Sequence, residues 1–187
     1  LCSYGLKFKS YQPMYVNLAP QQAIFTVPGC LTAVPVSEVL DVQCSTWGQS
    51  MTSGATQLHG KQPLVKSFGL ESISENKQLY LCMVEQLASN VSDRLLNDSL
   101  VRRSGALIDT PPLNQLDDEF DDLETFAKDF RANVAVILGE YEEIKLQKIA
   151  ARLSPYVGSH IINLPKLSGT IESDDVYRRS LHSSAIR

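Results

Sequence analysis

The sequence has 187 residues, 43% hydrophobic and 20% charged, the balance of a globular protein long enough for one domain of ordinary size. Its formal net charge of −4 excludes non-specific nucleic-acid binding by bulk positive charge, while leaving room for a local basic groove. Cys2, Cys30, Cys44 and Cys82 form no closely spaced pair, which excludes a zinc-finger pattern and reads as reduced thiols of a cytosolic or nuclear protein.

Residues 1–7 read as the last turns of a helix, with neither the initiator Met nor the basic-then-apolar pattern of a signal peptide. Met14–Leu18 is a short β-prone run, and Ala23–Val27 reads as a second strand, closed by Pro28-Gly29. Residues 45–63, rich in Ser, Thr, Gly and Gln and carrying Trp47, read as a long loop. Pro63–Gly69 reads as another short strand and turn. Ser72 and Glu75 match a capping box at the start of a long helix. Its apolar face carries Tyr80, Val84, Leu87, Val91 and Leu95.

Gly105–Ile108 predicts a strand ending at Asp109, and Thr110-Pro111-Pro112 breaks the chain. A second helix is expected to carry Leu113, Leu116, Phe120, Leu123 and Phe126. The acidic residues Asp117, Asp118, Glu119, Asp121 and Asp122 read as a solvated face in its early turns, favoured there by the helix dipole. The apolar run Val134–Leu138 predicts a strand buried on both faces. A third helix follows from near Glu140 to Leu153, then a strand at Ile161–Leu164 ended by Pro165 and Lys166. From near Ser173 the chain reads as a basic helix with Arg178, Arg179, His182 and Arg187, and Ser183–Arg187 shows no capping Gly or Pro. No apolar run approaches the length of a membrane span, so no membrane partner is expected.

Strands alternating with amphipathic helices predict an α/β fold with a parallel sheet and right-handed crossovers. Ligands of such sheets bind at the carboxyl ends of the strands. Those ends are Asn17–Gln22, Asp109–Pro112 and Asn163–Gly169. An apolar strand followed by Asp109-Thr110-Pro111 follows the logic of a Walker B strand, whose Asp holds the shell of Mg²⁺ or orients water. The segment around Pro165 and Lys166 lies where many P-loop proteins read the nucleotide base, although a surface lysine is an equally good reading. His59, His160 and His182 show neither triad nor metal spacing. No phosphate loop of the form GxxxxGK[ST] is present. In a P-loop NTPase domain it would precede the helix that ends at residues 1–7, so the sequence reads as incomplete upstream.

The runs Tyr11–Cys30, Thr46–Thr56, Lys66–Glu71 and Asp174–Leu181 carry a resemblance. The first contains Asn17-Leu18-Ala19-Pro20-Gln21-Gln22 and Val27-Pro28-Gly29, the last Asp175-Val176-Tyr177-Arg178-Arg179. Together they resemble the fungal mRNA-processing branch of the Clp/Grc polynucleotide kinase family. The resemblance spans nearly the whole sequence. It implies that residues 1–187 are part of a P-loop polynucleotide-kinase-like domain, with the family's amino-terminal β domain and carboxy-terminal domain lying outside.

It further implies an ATP-binding subunit of cleavage factor IA, working in the nucleus in pre-mRNA 3′-end processing and transcription termination. The implied partners are the termination subunit that binds the polymerase tail, the other cleavage and polyadenylation subunits and, indirectly, RNA. The implied cofactors are ATP and Mg²⁺. The implied nucleotide-binding residues are Gln21, Asp109, Pro165, Lys166, Arg178, Arg179 and Arg187, with Asp109 on the metal. The three arginines match the family's lid region, where such groups stabilise charge on a transferring phosphoryl group; a solvated role on the helix surface is the competing reading.

Two departures bear on activity. Ala19 stands where the family usually has an Asp serving Mg²⁺ and the attacking hydroxyl, and a methyl group can neither ligate metal nor take a proton. The stretch Asp109–Leu113 also lacks the Trp of the clasp that holds the RNA end in active members. ATP binding without turnover is therefore expected, with no catalytic residue assigned. An active RNA 5′-hydroxyl kinase is the alternative. An unrelated P-loop ATPase or GTPase that delivers cargo is a third reading, opposed by the match at residues 11–30. Residues 1–187 alone are expected to bind ATP poorly and to lack independent stability, since the phosphate cradle and a central strand lie elsewhere.

Overall fold

The computed structural model describes residues 5, 11–22, 25–37, 63–70, 72–117, 119–166 and 174–186, with only the backbone of residues 175, 178, 181 and 184–186. Of the expected opening helix, Gly5 alone is described, and it is helical. The long loop with Trp47, and with it Cys2, Cys44, His59, Asp118, residues 167–169 and Arg187, lie outside the described residues. The chain divides into two compact units, Leu1–Pro112 with Asp174–Arg187, and Leu113–Ser173.

The first unit holds a four-stranded sheet of order β3-β2-β1-β4. Its strands are β1 (Met14–Asn17), β2 (Cys30–Pro35), β3 (Leu64–Ser67) and β4 (Ala106–Asp109). Only β1 and β4 run parallel; β2 is antiparallel to both β1 and β3. The expected parallel pairing holds for β1 and β4, and β2 and β3 add antiparallel strands to the same sheet. The reason lies in the connection after β1, which contains no crossover helix among the described residues and returns the chain antiparallel through the Pro28-Gly29 turn. Gly29 takes φ +83 there, and its carbonyl accepts from the amides of Phe68 and Gly69 at 2.8 Å each.

Of the strand expected at Ala23–Val27, Ala23 and Ile24 lie outside the described residues, and Phe25–Val27 is not a strand, with Phe25 in the left-handed conformation, φ 63. That conformation costs a residue with a Cβ about 1–2 kcal/mol. The bend drives the fully buried Phe25 ring edge-on against Tyr15, with centroids 6.0 Å apart, where Val34, Val36 and Leu107 join the cluster. Burial of an aromatic side chain offsets the strain.

Helix α1 (Lys77–Asn97) packs on β2 and β3 through the buried face Tyr80, Val84, Leu87 and Val91, as the periodicity predicts; Leu95 is half-buried. Its start is displaced. Glu75 Oε1 does accept from the Ser72 amide at 3.2 Å, but the box closes a single 3-10 turn, Ile73–Glu75. The helix itself is capped by Asn76, whose side chain accepts from the Leu79 amide at 3.1 Å. A short helix α2 (Ser99–Ser104), capped by Asp98, leads through Gly105 (φ 77) into β4.

In the second unit, β5 (Ala135–Leu138) and β6 (Ile161–Leu164) pair in parallel, beside α3 (Asp121–Asp129) and α4 (Glu143–Val157). Residues 113–116 form turns, so α3 is shorter than the apolar spacing suggests. Leu116, Phe120, Leu123, Phe126, Ile149, Leu153 and Val157 are buried. The acidic stretch is not uniformly solvated: Asp122 is buried. Arg152 of α4 reaches Asp121 at 2.9 Å and Glu119 and Glu124 at 3.6 Å each. Nor is β5 buried on both faces; Val136 and Leu138 are 47% and 69% exposed, and Ile137 alone of the strand is buried.

Among the described residues no helix is long and apolar enough to cross a membrane. Cys30 and Cys82 are free thiols.

Candidate functional site

The carboxyl ends of β1 and β4 meet in one polar row. In register, Asn17 lies between Thr32 of β2 and Asp109 of β4, and Asn17 and Thr32 are fully buried. Tyr15, two residues back, shares their face by strand alternation. Its hydroxyl donates to Asp109 Oδ2 at 2.6 Å. Burial of Asp109 pushes its carboxyl above the usual carboxylate range, an effect the Tyr15 hydrogen bond partly opposes by stabilising the anion.

The segment after β1 is held from several sides. Asn17 Oδ1 accepts from the Ala19 amide at 3.0 Å, and Asn17 Nδ2 donates to the carbonyls of Ala19 and Gln22 at 3.2 Å each. The Gln22 amide donates to the Ala19 carbonyl at 3.0 Å, closing the turn. The Leu18 amide donates to the Asp109 carbonyl at 2.9 Å, extending the ladder past the strand. From α1, the buried Tyr80 hydroxyl donates to the Leu18 carbonyl at 2.8 Å. A buried backbone left unpaired would cost about 1–3 kcal/mol per group, so these side chains are what allow an irregular loop to sit inside the unit.

Ala19 is 1% exposed at the centre of this turn. The position where the resemblance expects a carboxylate is therefore a buried methyl group, framed by hydrogen-bonded backbone. Asp109 is the carboxylate this end of the β1–β4 pair presents, and no group of three or more His, Cys, Asp or Glu suited to a metal occurs among the described residues.

Helix α5 (Asp175–Ile186) belongs to the same unit and begins on Asp174, whose carboxylate accepts from the Tyr177 amide at 2.7 Å. His182 Nε2 lies 2.9 Å from the Gln21 carbonyl. A carbonyl only accepts, so the proton of this bond sits on Nε2. This contact brings Gln21 and the carboxy-terminal helix together. Arg179 is exposed on α5, and Arg178 lies on the same helix. Pro165 and Lys166 follow β6 in the second unit and are exposed.

Sequence reasoning singled out Asp109 and Gln21 but passed over Tyr15, Asn17 and Tyr80. Alternation was the available signal for the first two, because a polar Asn two residues beyond a Tyr in a short apolar strand places both on one face. Tyr80 stood out only as an apolar position of a helical stripe; its hydroxyl partner is a backbone carbonyl 62 positions away, which no local pattern encodes.

The family described as the mRNA cleavage and polyadenylation factor CLP1 P-loop matches residues 1–187. The mRNA cleavage and polyadenylation factor CLP1 of Vanderwaltozyma polyspora is 55% identical over 189 residues, and that of Saccharomyces cerevisiae is 50% identical over 188. Each alignment covers 100% of this chain and 42% of the relative, so the chain spans less than half the length of these proteins. A solved structure of the extended Pcf11p–Clp1p interface, which also treats ATP loss in a glycine-to-arginine point mutant, superposes with a TM-score of 0.91 at 50% identity. It is covered over 44% of its chain, and all of this chain is aligned. The wild-type Clp1p–Pcf11p complex gives the same TM-score at 49% identity. The mixed α/β architecture, the Asp109 strand end and these matches lead to one conclusion: this chain belongs to the mRNA cleavage and polyadenylation factor CLP1 P-loop family.

Proposed function

We propose that this chain is part of the nucleotide-binding domain of an ATP-binding subunit of cleavage factor IA, acting in the nucleus in pre-mRNA 3′-end processing and transcription termination without turning ATP over. The observation that carries this reading is Ala19: a buried methyl group, 1% exposed, occupies the place of the carboxylate that phosphoryl transfer in the wider family needs. Phosphoryl transfer depends on positioning and charge stabilisation, so the loss of one such group removes rate while leaving binding contacts intact.

Mg²⁺ fits the residues present. It is commonly held by one or two carboxylates together with substrate phosphates and water. Asp109 offers one carboxylate, with Oδ2 accepting from Tyr15 and Oδ1 without a partner among the described residues. Mg²⁺ would supply charge neutralisation to the nucleotide phosphates. The resemblance further assigns Gln21, Pro165, Lys166, Arg178, Arg179 and Arg187 to the nucleotide, the arginines by their match to the family's lid region and Pro165 and Lys166 by their position after a strand. Both solved neighbours are complexes of Clp1p with Pcf11p, which supports a protein partner in the termination machinery, with RNA engaged indirectly through the assembled factor.

The register that sets Asp109 beside Asn17 favours one competing reading, an active RNA 5′-hydroxyl kinase in which Asp109 has taken over the role of the missing carboxylate. Binding is tested first with the full-length protein: nucleotide released by heat denaturation is identified by chromatography, and ATP affinity is measured by calorimetry. Bound ATP, recovered intact, is the expected result. A protein that neither retains nor binds ATP at millimolar concentration would end the proposal.

A further inference from the structure

Tyr15 brings a hydroxyl into a cluster of apolar side chains. Its ring is 5% exposed and packs with Phe25, Val34, Val36 and Leu107. A phenylalanine would fill the same space, so packing alone does not call for the oxygen. Burying a hydroxyl is costly unless it is hydrogen-bonded, and this one has Asp109. The bond also restrains the carboxylate. An Asp side chain turns about its terminal torsion with little preference, so both oxygens otherwise compete for any ligand. The phenol donor fixes one of them, on a ring clamped edge-to-face by Phe25 at an interplanar angle of 68°.

We propose that Tyr15 is the positioning residue for Asp109: its hydroxyl commits Oδ2 and leaves Oδ1 as the oxygen available to the Mg²⁺ of a bound nucleotide. The inference rests on the reading of Asp109 as the metal-holding residue. It assigns the strained turn at Phe25 a purpose as well, since that turn supplies the ring that holds Tyr15. In metal sites generally, partners that orient a ligating side chain matter almost as much as the ligand itself.

The test uses full-length protein as wild type, Tyr15→Phe, Asp109→Asn and the double variant. ATP affinity is measured by calorimetry in EDTA and again with Mg²⁺, and thermal unfolding is recorded without nucleotide. The expected result for Tyr15→Phe is unchanged affinity in EDTA and an unchanged melting temperature, with the gain from Mg²⁺ reduced about tenfold. Asp109→Asn should lose the gain, and the double variant should match it. An unaltered gain in Tyr15→Phe beside a lost gain in Asp109→Asn overturns the positioning role and spares the metal reading. Asp109→Asn with the wild-type gain, or a wild type with none, overturns both. Equal loss of affinity with and without Mg²⁺, together with a lower melting temperature, makes Tyr15 a structural residue only. A larger gain in Tyr15→Phe means that the hydroxyl competes with the metal, which also contradicts the proposal.

Discussion

Strands β1 and β5 are both four residues long and both pair in parallel with a later strand, yet their surroundings differ. All four residues of β1 are buried, and its carboxyl end carries a polar row in which Asn17 bonds the backbone of Ala19 and Gln22. In β5 only Ile137 is buried, and in the paired strand Ile162 and Leu164 are 47% and 45% exposed. An apolar run therefore reports that a strand forms, not what covers it. The polar residues at the end of β1 say more about function than the apolar residues of either strand.

That contrast can be broken by substitution in the full-length protein. The largest effect is expected in the first unit: Leu87→Ala, in the fully buried face of α1, should destabilise by about 2–5 kcal/mol in denaturant unfolding. Asn17→Ala comes next, at about 2–3 kcal/mol, because it strips partners from the Ala19 amide and the Gln22 carbonyl. Restoration by Asn17→Gln would show that the amide need not sit where it does and would weaken the account of the turn.

Smaller effects belong to the second unit. Arg152→Ala should cost about 1 kcal/mol or less, shrinking as salt is raised, since Arg152 is 39% exposed and its ion pairs are screened. A loss independent of salt would point to packing of its aliphatic stem instead. Val136→Ala tests what covers β5 in the full-length protein: within residues 1–187 the side chain is 47% exposed, and with that exposure retained the change in unfolding is less than about 1 kcal/mol. A loss as large as that of Leu87→Ala would show that β5 is covered as completely as β1.

A pH comparison isolates the polar row. Burial raises the Asp109 carboxyl in the folded state, so the folded state binds its proton more readily than the unfolded state. Stability from this group is then fully present below the unfolded carboxyl pKa and is lost as pH rises through the folded one. The melting temperature of wild type relative to Asp109→Asn should increase as pH falls from neutral toward the acid range. The opposite trend would mean that Tyr15 stabilises the anion by more than burial penalises it.

Much of this was legible in the residues. The apolar runs before Asp109 and Gly139 form strands, the stripe from Tyr80 to Val91 is buried as its periodicity predicts, and the final stretch folds as the expected helix. Strand β2 was not legible as such, because Ala23–Val27 has the stronger β composition and only the left-handed Phe25 sets it aside. The β-branched Thr32 and Val34 after the Pro-Gly turn were the better signal. The start of α1 was missed by a few residues because a capping box satisfies a single 3-10 turn as readily as a long helix. Asp109 was visible as a strand end; its partner Tyr15 was not, since the hydrogen bond joins residues 94 positions apart.

The proposal that the full-length protein holds ATP without spending it is tested most directly by phosphoryl transfer. Full-length protein with Mg²⁺ is given labelled ATP and an RNA oligonucleotide ending in a 5′-hydroxyl. No labelled RNA, beside ATP that remains bound, is the predicted result. Robust labelling, abolished by Asp109→Asn, would contradict it and make this branch a working RNA kinase whose carboxylate has moved from β1 to β4.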